Sequence, residues 1–351
     1  MIEIGAPGLG GYLRPMLIRP HHLSPGDTLG IIAPASAPPD SRTIDRSVGV
    51  LEELGFNVKL GPNVRNRHGY LAGSDRERAS DVMQMFTDRR VHGILCVRGG
   101  YGTARLLPLL DYRVIRAHAK VFVGYSDITS LHCAFLTKAK LISFHGPMLN
   151  SDLNHAALPD FTRQSFLRTL ARPLTRLDGH PLPSGCGEGR GAGFPVSIAQ
   201  GYRRKTIKIL RGGVARGQLI GGNLTLLCTT IGTPWQPPFR GRILFLEELS
   251  EPPYRFDRML TYLLNCGLLQ QVAGIAIGLN ADCEDPKAKR SKEYHQTLED
   301  VLKERLLPLK IPVVAGLPFG HVPHNATLPV GAQVMLDAER GDLFITQPVV
   351  A

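Results

Sequence analysis

Short apolar runs alternate with amphipathic segments through the first 150 residues of the chain. The apolar runs cover residues 27–36 (DTLGIIAPAS), 91–97 (VHGILCV), 120–124 (KVFVG) and 141–144 (LISF). Residues 40–56 instead repeat apolar side chains at the spacing of one helical face, and residues 74–88 predict a second helix. Strands that alternate with helices in this way are typical of a doubly wound parallel α/β sheet, whose crevices lie at the carboxyl ends of its strands.

The pattern changes after about residue 165. Glycine occupies alternate positions in residues 185–193 (GCGEGRGAG), which is typical of a linker or an exposed loop. Basic and apolar residues alternate at 202–216 as in an exposed strand, and residues 327–347 predict a closing hairpin. The sequence therefore predicts three parts: a parallel-sheet domain at 1–165, a linker or exposed loop at 166–215, and a β-rich α+β domain at 216–351.

The composition predicts an ordinary soluble globular protein. Hydrophobic residues make up 43% of the 351 positions, charged residues make up 20%, and the formal net charge is +11. A basic balance favours nucleic acid, anionic surfaces or acidic small substrates, but here the basic residues are spread widely and no nucleic-acid-binding signature is present. No apolar run reaches membrane-spanning length, and the N-terminus lacks the apolar core of a signal peptide. We therefore expect a cytoplasmic protein with no nucleic-acid or membrane partner.

The six cysteines show no C-x-x-C pair and no ligand spacing with histidine. Four of them stand among apolar residues and are expected to be small core side chains: Cys96, Cys133, Cys228 and Cys266. This distribution argues for a reducing compartment and against a structural zinc site.

A serine stands where an apolar strand gives way to a helix, in residues 120–135 (KVFVGYSDITSLHCAF). Ser126 could cap that helix, since serine side chains accept hydrogen bonds from the free N–H groups of a first turn. It could also be a nucleophile on a sharp turn, with neighbouring N–H groups ready to stabilise an oxyanion. The second glycine of a G-x-S-x-G elbow is replaced by Ile128. On these residues alone both roles stay open.

Residues 97–105 (VRGGYGTAR) form a glycine-rich turn after a predicted strand. Such a turn can bind a phosphate or a carboxylate on its N–H groups, or can supply a donor to an oxyanion hole. The spacing does not match the dinucleotide fingerprint, which needs G-x-G-x-x-G in the first strand–helix unit. The glycines could equally serve only to make the turn tight.

Glu247 ends the strongly apolar strand of residues 242–247 (RILFLE). A carboxylate is costly in such a position unless it is hydrogen-bonded or paired. Glu247 therefore suits either a structural partner or the acid that orients a histidine in a catalytic triad. The next residue, Glu248, is expected to lie in a solvated turn.

His321 follows an apolar strand and a Phe-Gly turn, in the kind of loop that often carries function. His145 and His324 are rival bases, and His145 is the better rival because it comes soon after Ser126. The order Ser126, Glu247, His321 is that of the α/β-hydrolases, although order alone identifies no site.

Taken together, these segments resemble the LD-carboxypeptidase family of serine peptidases, a group that also includes microcin C7 immunity proteins. The resemblance covers almost the whole chain, and its motifs occur in the family's order. They are SPGDTLGIIAPASAP, ILCVRGGYGTARLL, GYSD, HGPM, GQLIGGNLTLLCTTIGTPW, ILFLEELSEPPYRFDRML, GLPFGH and TLPVGAQVMLD. Their combination favours the nucleophile role for Ser126.

The resemblance implies a Rossmann-like N-terminal domain that carries the serine and a β-rich C-terminal domain that carries the acid and the base. The site is expected to close where the two domains meet, usually within a homodimer. By motif, Ser126 corresponds to the family nucleophile, Glu247 to the acid and His321 to the base.

The resemblance also implies an oxyanion hole made of backbone N–H groups from Asp127 and from the glycine turn. Gly100 is the first choice in that turn, and its neighbours Gly99 and Gly102 stay open. The residues expected to contact substrate are Arg98, Tyr101 and Gly102. Arg98 or Arg105 is a candidate to hold the free carboxylate of the substrate.

The implied reaction removes the terminal D-alanine from a murein tetrapeptide in peptidoglycan recycling. The serine would cut after the L-centre of the diamino acid through an acyl-enzyme, with no metal and no cofactor. Two other functions stay open: a microcin-immunity amidase that acts on aminoacyl-nucleotide analogues, and a non-catalytic module that binds peptides or nucleotides.

Overall fold

The computed structural model describes residues 17–153, 158–171, 195–285 and 296–351, so the predicted glycine-rich loop at 185–193 lies outside the described residues. The described helices are α1 (Arg42–Glu53), α2 (Asp75–Thr87), α3 (Tyr112–Ala117), α4 (Thr129–Ala134), α5 (Asp160–Leu170), α6 (Leu224–Thr230), α7 (Pro253–Asn265) and α8 (Leu298–Leu306). The described strands are β1 (Thr28–Ile32), β2 (Asn57–Leu60), β3 (Gly93–Cys96), β4 (Val121–Gly124), β5 (Ser143–His145), β6 (Val196–Ser197), β7 (Lys208–Arg211), β8 (Val214–Asn223), β9 (Ile243–Glu247), β10 (Gly274–Gly278), β11 (Val313–Leu317), β12 (Leu328–Val330), β13 (Gln333–Asp337) and β14 (Asp342–Ile345).

The first sheet confirms the predicted α/β class. Its strands lie in the order β12-β5-β4-β3-β1-β2, and β1 to β5 are parallel. Successive side chains of β1 enter two different apolar clusters, Ile31 one and Ile32 the other. Because both faces of the sheet are covered, its strands read as continuous apolar runs in the sequence.

The second sheet holds most of the strands after residue 195. Its order is β6-β14-β13-β8-β9-β10-β11-β7, with β8 to β11 parallel and the outer strands antiparallel. β13 and β14 form the predicted closing hairpin, and β7 is the exposed edge strand that the basic alternation predicts. A second sheet with this mixed topology confirms the predicted α+β character of the second half.

Two features of the sheets bear on the predicted domain boundaries. β6 and β7 lie within the predicted linker at 166–215, yet both belong to the second sheet. β12 comes from the predicted C-terminal domain but pairs with β5 at the edge of the first sheet. The boundaries at 165 and 216 stay predictions.

The prediction of core cysteines is confirmed for Cys96 and Cys133, which are buried, and Cys228 is half-buried against the core. It is wrong for Cys266, which is exposed at the end of α7. Every helix that the structure describes is too short or too polar to cross a lipid bilayer. Within the described ranges, no three His, Cys, Asp or Glu side chains are grouped so that they could hold a metal ion.

Candidate active site

Ser126 lies on a strained turn between β4 and α4. Its φ is +63°, in the left-handed region that residues other than glycine rarely adopt. A short 3₁₀ turn, Ser126–Ile128, leads from it into α4. Among the described residues no side chain caps this turn or α4, so Ser126 does not have the capping role that the sequence left open.

The glycine turn after β3 packs directly against Ser126. A Cβ atom on Gly99 would lie 2.7 Å from the Ser126 Cβ and 2.8 Å from its Oγ, so only glycine fits. The backbone nitrogen of Asp127 lies 3.2 Å from the same point. Gly100 has a φ of +106°, and its N–H has no acceptor within the described part of the chain. The two N–H groups predicted to form an oxyanion hole therefore belong to turns that meet at the serine.

The side chain of Asp127 joins these two turns. It is buried, and its Oδ2 accepts a hydrogen bond from the Thr103 N–H at 2.9 Å. The Thr103 hydroxyl in turn donates to the Asp127 carbonyl oxygen. Burial raises the pKa of the Asp127 carboxyl, against the opposing effect of the donors on Thr103 and Gly102. These bonds hold the serine turn and the glycine turn in a fixed relation.

Glu247 and His321 form a hydrogen-bonded pair at the carboxyl ends of β9 and β11. His321 Nδ1 and Glu247 Oε2 are 2.7 Å apart, and the carboxylate is fully buried. Gly320 permits this approach: its φ is +113°, and a Cβ there would lie 3.1 Å from the Glu247 Cβ. Since Nδ1 is engaged, Nε2 is the ring nitrogen that can exchange a proton with substrate groups.

The environment of His321 shifts its pKa in two directions. Burial alone disfavours the imidazolium and lowers the pKa. The hydrogen bond and negative charge of Glu247, with smaller contributions from Glu248 and Asp152, outweigh burial and raise the pKa above its ordinary value. The pair thus favours a protonated His321, which is the form a general base reaches during the reaction.

Tyr125 connects the serine turn to the histidine by a ring contact that the sequence did not reveal. Its ring is 4.9 Å from the His321 ring, centroid to centroid, and the next residue is Ser126. Within the described ranges no hydrogen bond joins the Ser126 hydroxyl to His321. Such bonds are often long in ligand-free enzymes and shorten when substrate binds.

The rival histidines lie in different surroundings. His145 is fully buried against Tyr125 and Phe245, and neither ring nitrogen has a hydrogen-bond partner among the described residues. Burial, with the charges of His132 and His321, lowers the pKa of His145 well below its ordinary value. His324 is exposed and packs its ring near Phe161 and Tyr202, away from Glu247.

Glu248 is buried, so the expectation of a solvated turn is wrong. Its Oε1 accepts a hydrogen bond from the Thr225 N–H at 2.7 Å, and its Oε2 accepts one from the Leu249 N–H at 3.0 Å. Thr225 lies in the first turn of α6, where free N–H groups attract a carboxylate. Burial raises the pKa of Glu248 despite these donors.

The residues expected to contact substrate differ in availability. Arg105 is paired with Asp75 at 2.9 Å, whereas Arg98 donates to the Ala37 carbonyl at 3.4 Å and has no carboxylate partner in the described ranges. Tyr101 is about half exposed on the glycine turn. Gly102 has a φ of +127°, and a Cβ there would lie 2.8 Å from the buried Arg78 guanidinium. The structure therefore needs a glycine at this position for steric reasons.

The comparisons with known proteins concern almost the whole chain. Family models for the LD-carboxypeptidase N-terminal domain and the LD-carboxypeptidase C-terminal domain match residues 29–146 and 216–336. The probable murein peptide carboxypeptidase of Bacillus subtilis is 37% identical over 91% of each chain. The solved muramoyltetrapeptide carboxypeptidase from Oxalobacter formigenes is 32% identical over 90% of this chain and 97% of its own, with a TM-score of 0.74. The microcin C7 self-immunity protein MccF, solved in the apo state, is 28% identical over 95% of this chain and 100% of its own, with a TM-score of 0.79.

Proposed function

Because the chain belongs to the LD-carboxypeptidase family, we propose that it is a serine carboxypeptidase that removes the terminal D-alanine from murein tetrapeptide. The observation that carries this proposal is the hydrogen bond of 2.7 Å between Glu247 and His321, whose ring lies 4.9 Å from that of Tyr125, the residue before the strained Ser126. A role in peptidoglycan recycling, a cytoplasmic location and a homodimer belong to the same proposal.

In the proposed mechanism His321 acts first as base and then as acid. Its Nε2 takes the proton of Ser126 while Oγ attacks the carbonyl carbon of the scissile peptide bond. Glu247 holds the other ring nitrogen and stabilises the imidazolium that forms. The proton then passes to the leaving D-alanine amine, the C–N bond breaks, and water hydrolyses the acyl-enzyme by the same sequence.

The N–H groups of Gly100 and Asp127 are the proposed donors to the oxyanion. In other serine hydrolases such a donor contributes about 3–4 kcal/mol to transition-state stabilisation. The free Gly100 N–H and the close fit of Gly99 against Ser126 support this assignment. Every step uses side chains and backbone groups of this chain, so the proposed reaction calls for no cofactor.

Mass spectrometry of purified protein incubated with murein tetrapeptide tests the proposal, with Ser126→Ala as the control. We expect the wild type alone to release one D-alanine. Turnover by Ser126→Ala at the wild-type rate would contradict the assigned nucleophile.

An amidase that acts on aminoacyl-nucleotide analogues is the second candidate, because the fold is as similar to the microcin C7 self-immunity protein as to the murein enzyme. If neither protein releases D-alanine, an aminoacyl sulfamoyl nucleotide becomes the next substrate to test. Binding of either compound without cleavage would favour the third hypothesis, a non-catalytic binding module.

The choice between His321 and His145 as base has its own experiment. We expect His321→Ala to lose turnover and His145→Phe to keep both activity and stability, because the ring nitrogens of His145 bond to no described group. His132→Phe is the matched control for stability: its nitrogens bond to the Gly124 carbonyl and to the Ser143 hydroxyl, both at 2.8 Å. Loss of two buried hydrogen bonds should lower the free energy of unfolding by about 2–4 kcal/mol. An active His321→Ala would move the role of base to His145.

A further inference from the structure

A cavity of about 400 Å³ opens next to Ala37, a residue whose carbonyl accepts a hydrogen bond from Arg98 of the glycine turn. Residues 37–42 form one wall, and Arg65 and Arg67 form the other. The start of α1 lies in the first wall, but its first N–H groups already have acceptors: Arg42 N–H donates to Asp40 Oδ1, and the N–H groups of Thr43 and Ile44 donate to the carbonyl oxygens of Asp40 and Ser41. The lining contains three arginines and one carboxylate, Asp40, so any attraction for an anion comes from the arginine side chains.

The three guanidinium groups differ in how far their charge is neutralised. Arg42 pairs with Asp40 at 3.1 Å, and Arg65 pairs with Asp45. Arg67 instead donates from Nη2 to the carbonyl oxygens of Pro38 and Pro39, at 2.6 and 3.5 Å. No carboxylate pairs with Arg67 in the described ranges. Since a guanidinium has five N–H donors and a planar fork, Arg67 can still bind a carboxylate.

A short series of contacts connects this cavity to the serine. The Ala37 carbonyl accepts a hydrogen bond from Arg98, the residue that opens the glycine turn. Ser36 accepts from the Tyr101 N–H at 3.1 Å and donates its own N–H to the Gly99 carbonyl. Gly99 lies against Ser126. Ala37 in the cavity wall, its neighbour Ser36 and Ser126 thus all contact residues of the same glycine turn.

Two exposed tyrosines lie at this part of the surface. Tyr70 is 64% exposed, Tyr101 is 49% exposed, and their ring centroids are 5.8 Å apart. Tyr101 belongs to the glycine turn, and Tyr70 follows Arg67 by three residues. Flat aromatic faces beside a few well-placed polar groups are typical of ligand sites.

We propose that Arg67 is a specificity-determining residue of this enzyme and binds a free carboxylate of the peptide substrate in the cavity. The proposal rests on the proposed function, because it concerns recognition of the same acidic peptide. Two such groups flank the diamino acid of a murein tetrapeptide, and the inference is limited to them: the carboxylate of the terminal D-alanine and the α-carboxylate of the γ-linked D-glutamate. A guanidinium can bind either carboxylate in the same way, so an experiment is needed to distinguish them.

The experiment measures kcat and KM with three peptides: the free tetrapeptide, its C-terminal amide, and the form in which the glutamate α-carboxylate is an amide. Arg67→Ala should lower kcat/KM about tenfold with the free tetrapeptide, mainly through KM. With one of the two amides, kcat/KM of the wild type should already be lower than with the free tetrapeptide, and Arg67→Ala should not lower it further. That amide identifies the carboxylate that Arg67 binds.

Two further variants separate recognition from support of the loop. Arg67→Gln keeps a donor for the Pro38 carbonyl without the charge, and it should show the same dependence on the peptide as Arg67→Ala. Arg113→Ala removes an equally positive but remote and exposed side chain, and it should behave as the wild type with all three peptides. If the Arg67 variants lose kcat/KM equally with all three peptides, or lose none with any, the inference about Arg67 is overturned and the proposed function is not. A wild type inactive on all three would overturn the proposed function together with it.

Discussion

At the scale of single residues, the proposed nucleophile Ser126 has an unfavourable backbone conformation. A residue other than glycine in the left-handed region costs roughly 1–2 kcal/mol, and Ser126 has a φ of +63°. Strain of this kind is stored at functional sites and is supported by the surrounding structure, here by Gly99 and the Asp127–Thr103 bonds. The surrounding structure thus holds Ser126 in a backbone conformation that serine does not favour by itself.

Replacing this serine by glycine should therefore separate stability from activity. We expect Ser126→Gly to raise the free energy of unfolding by about 0.5–1 kcal/mol, because glycine adopts this conformation without strain, and to abolish turnover. Urea denaturation measures the first effect. Ser126→Ala is the matched control, since it keeps the Cβ atom and loses only the hydroxyl. A glycine variant no more stable than the alanine variant would show that the turn is not strained.

The pKa of His321 predicts the pH dependence of the reaction. A general base must start neutral, so kcat/KM should rise with pH through the pKa of folded His321, which lies above 6.5. Glu247→Gln removes the charge that raises this pKa. We expect that variant to move the acid limb to lower pH and to reduce the plateau by roughly four orders of magnitude, as in other triads. Profiles of kcat/KM between pH 5 and 9 check this, and an unmoved limb would mean that another group titrates.

The same pair predicts how stability changes with pH. The folded pKa of His321 is raised above its unfolded value, so the stabilisation is fully present below about pH 6.5 and is lost as the pH rises through the folded pKa. The difference in free energy of unfolding between wild type and Glu247→Gln should therefore be larger at pH 5.5 than at pH 9. Urea denaturation at the two pH values measures it, and the reverse order would contradict a raised pKa.

At the scale of elements, the site is assembled from the ends of parallel strands. The glycine turn follows β3, Ser126 follows β4, and Glu247 ends β9. The apolar runs made these strands predictable, and polar residues directly after them could be chosen as site candidates. The pairing of Glu247 with His321 spans 74 positions of sequence and needed the fold, or the family motifs, to be seen.

What the sequence could not reveal depends on contacts between distant elements. Tyr125 packs on His321 although the two residues come from loops after strands of different sheets, and a tyrosine before a serine carries no signal of its own. β12 crosses to the first sheet because strand pairing is chosen by the whole fold and not by the local alternation. Arg67 stands in a segment with no motif, so its cavity became visible only in three dimensions.

The fit of the glycine turn against the serine predicts the effect of one added methyl group. Gly99→Ala would place a Cβ 2.7 Å from the Ser126 Cβ, so the turn must shift, and the proposed oxyanion donors must shift with it. We expect kcat to fall at least a hundredfold and the free energy of unfolding to fall by about 1–3 kcal/mol. Steady-state kinetics and urea denaturation measure the two effects.

Gly49→Ala is the matched control for that substitution. Gly49 lies within α1, and nothing is within 4 Å of an added Cβ. The change should raise the free energy of unfolding by about 1 kcal/mol, since alanine favours a helix over glycine, and should leave kcat unchanged. A Gly99→Ala variant with wild-type kcat would show that the turn can move without affecting the reaction.

At the scale of the whole molecule, the two sheets are connected by more than the chain that joins them. The Asn223 N–H, at the end of β8, donates to the Thr129 hydroxyl of α4 at 3.0 Å. Thr162 and Ser165 of α5 accept from the backbone of Asn325 and Thr327, at 2.9 and 3.0 Å. Together with the pairing of β12 and β5, these bonds connect the two halves. The proposed site contains groups from both halves, so its geometry depends on a stable interface between the two halves.

These cross-connections predict that the two halves unfold together. Trp235, the single tryptophan, is contributed by the second half and packs against an apolar cluster of the first, with its carbonyl accepting from the Thr137 hydroxyl at 3.3 Å. Its fluorescence therefore reports on the interface, while far-UV circular dichroism reports on all helices and strands. Because separating the halves would break β12 pairing and expose this cluster, we expect the two signals to change at the same urea concentration.

Gly222→Ala, whose Cβ would lie 2.4 Å from the Thr129 Oγ1, should lower both midpoints together. A fluorescence change that precedes the loss of secondary structure would instead mean that the halves separate first and that the site opens before either sheet unfolds.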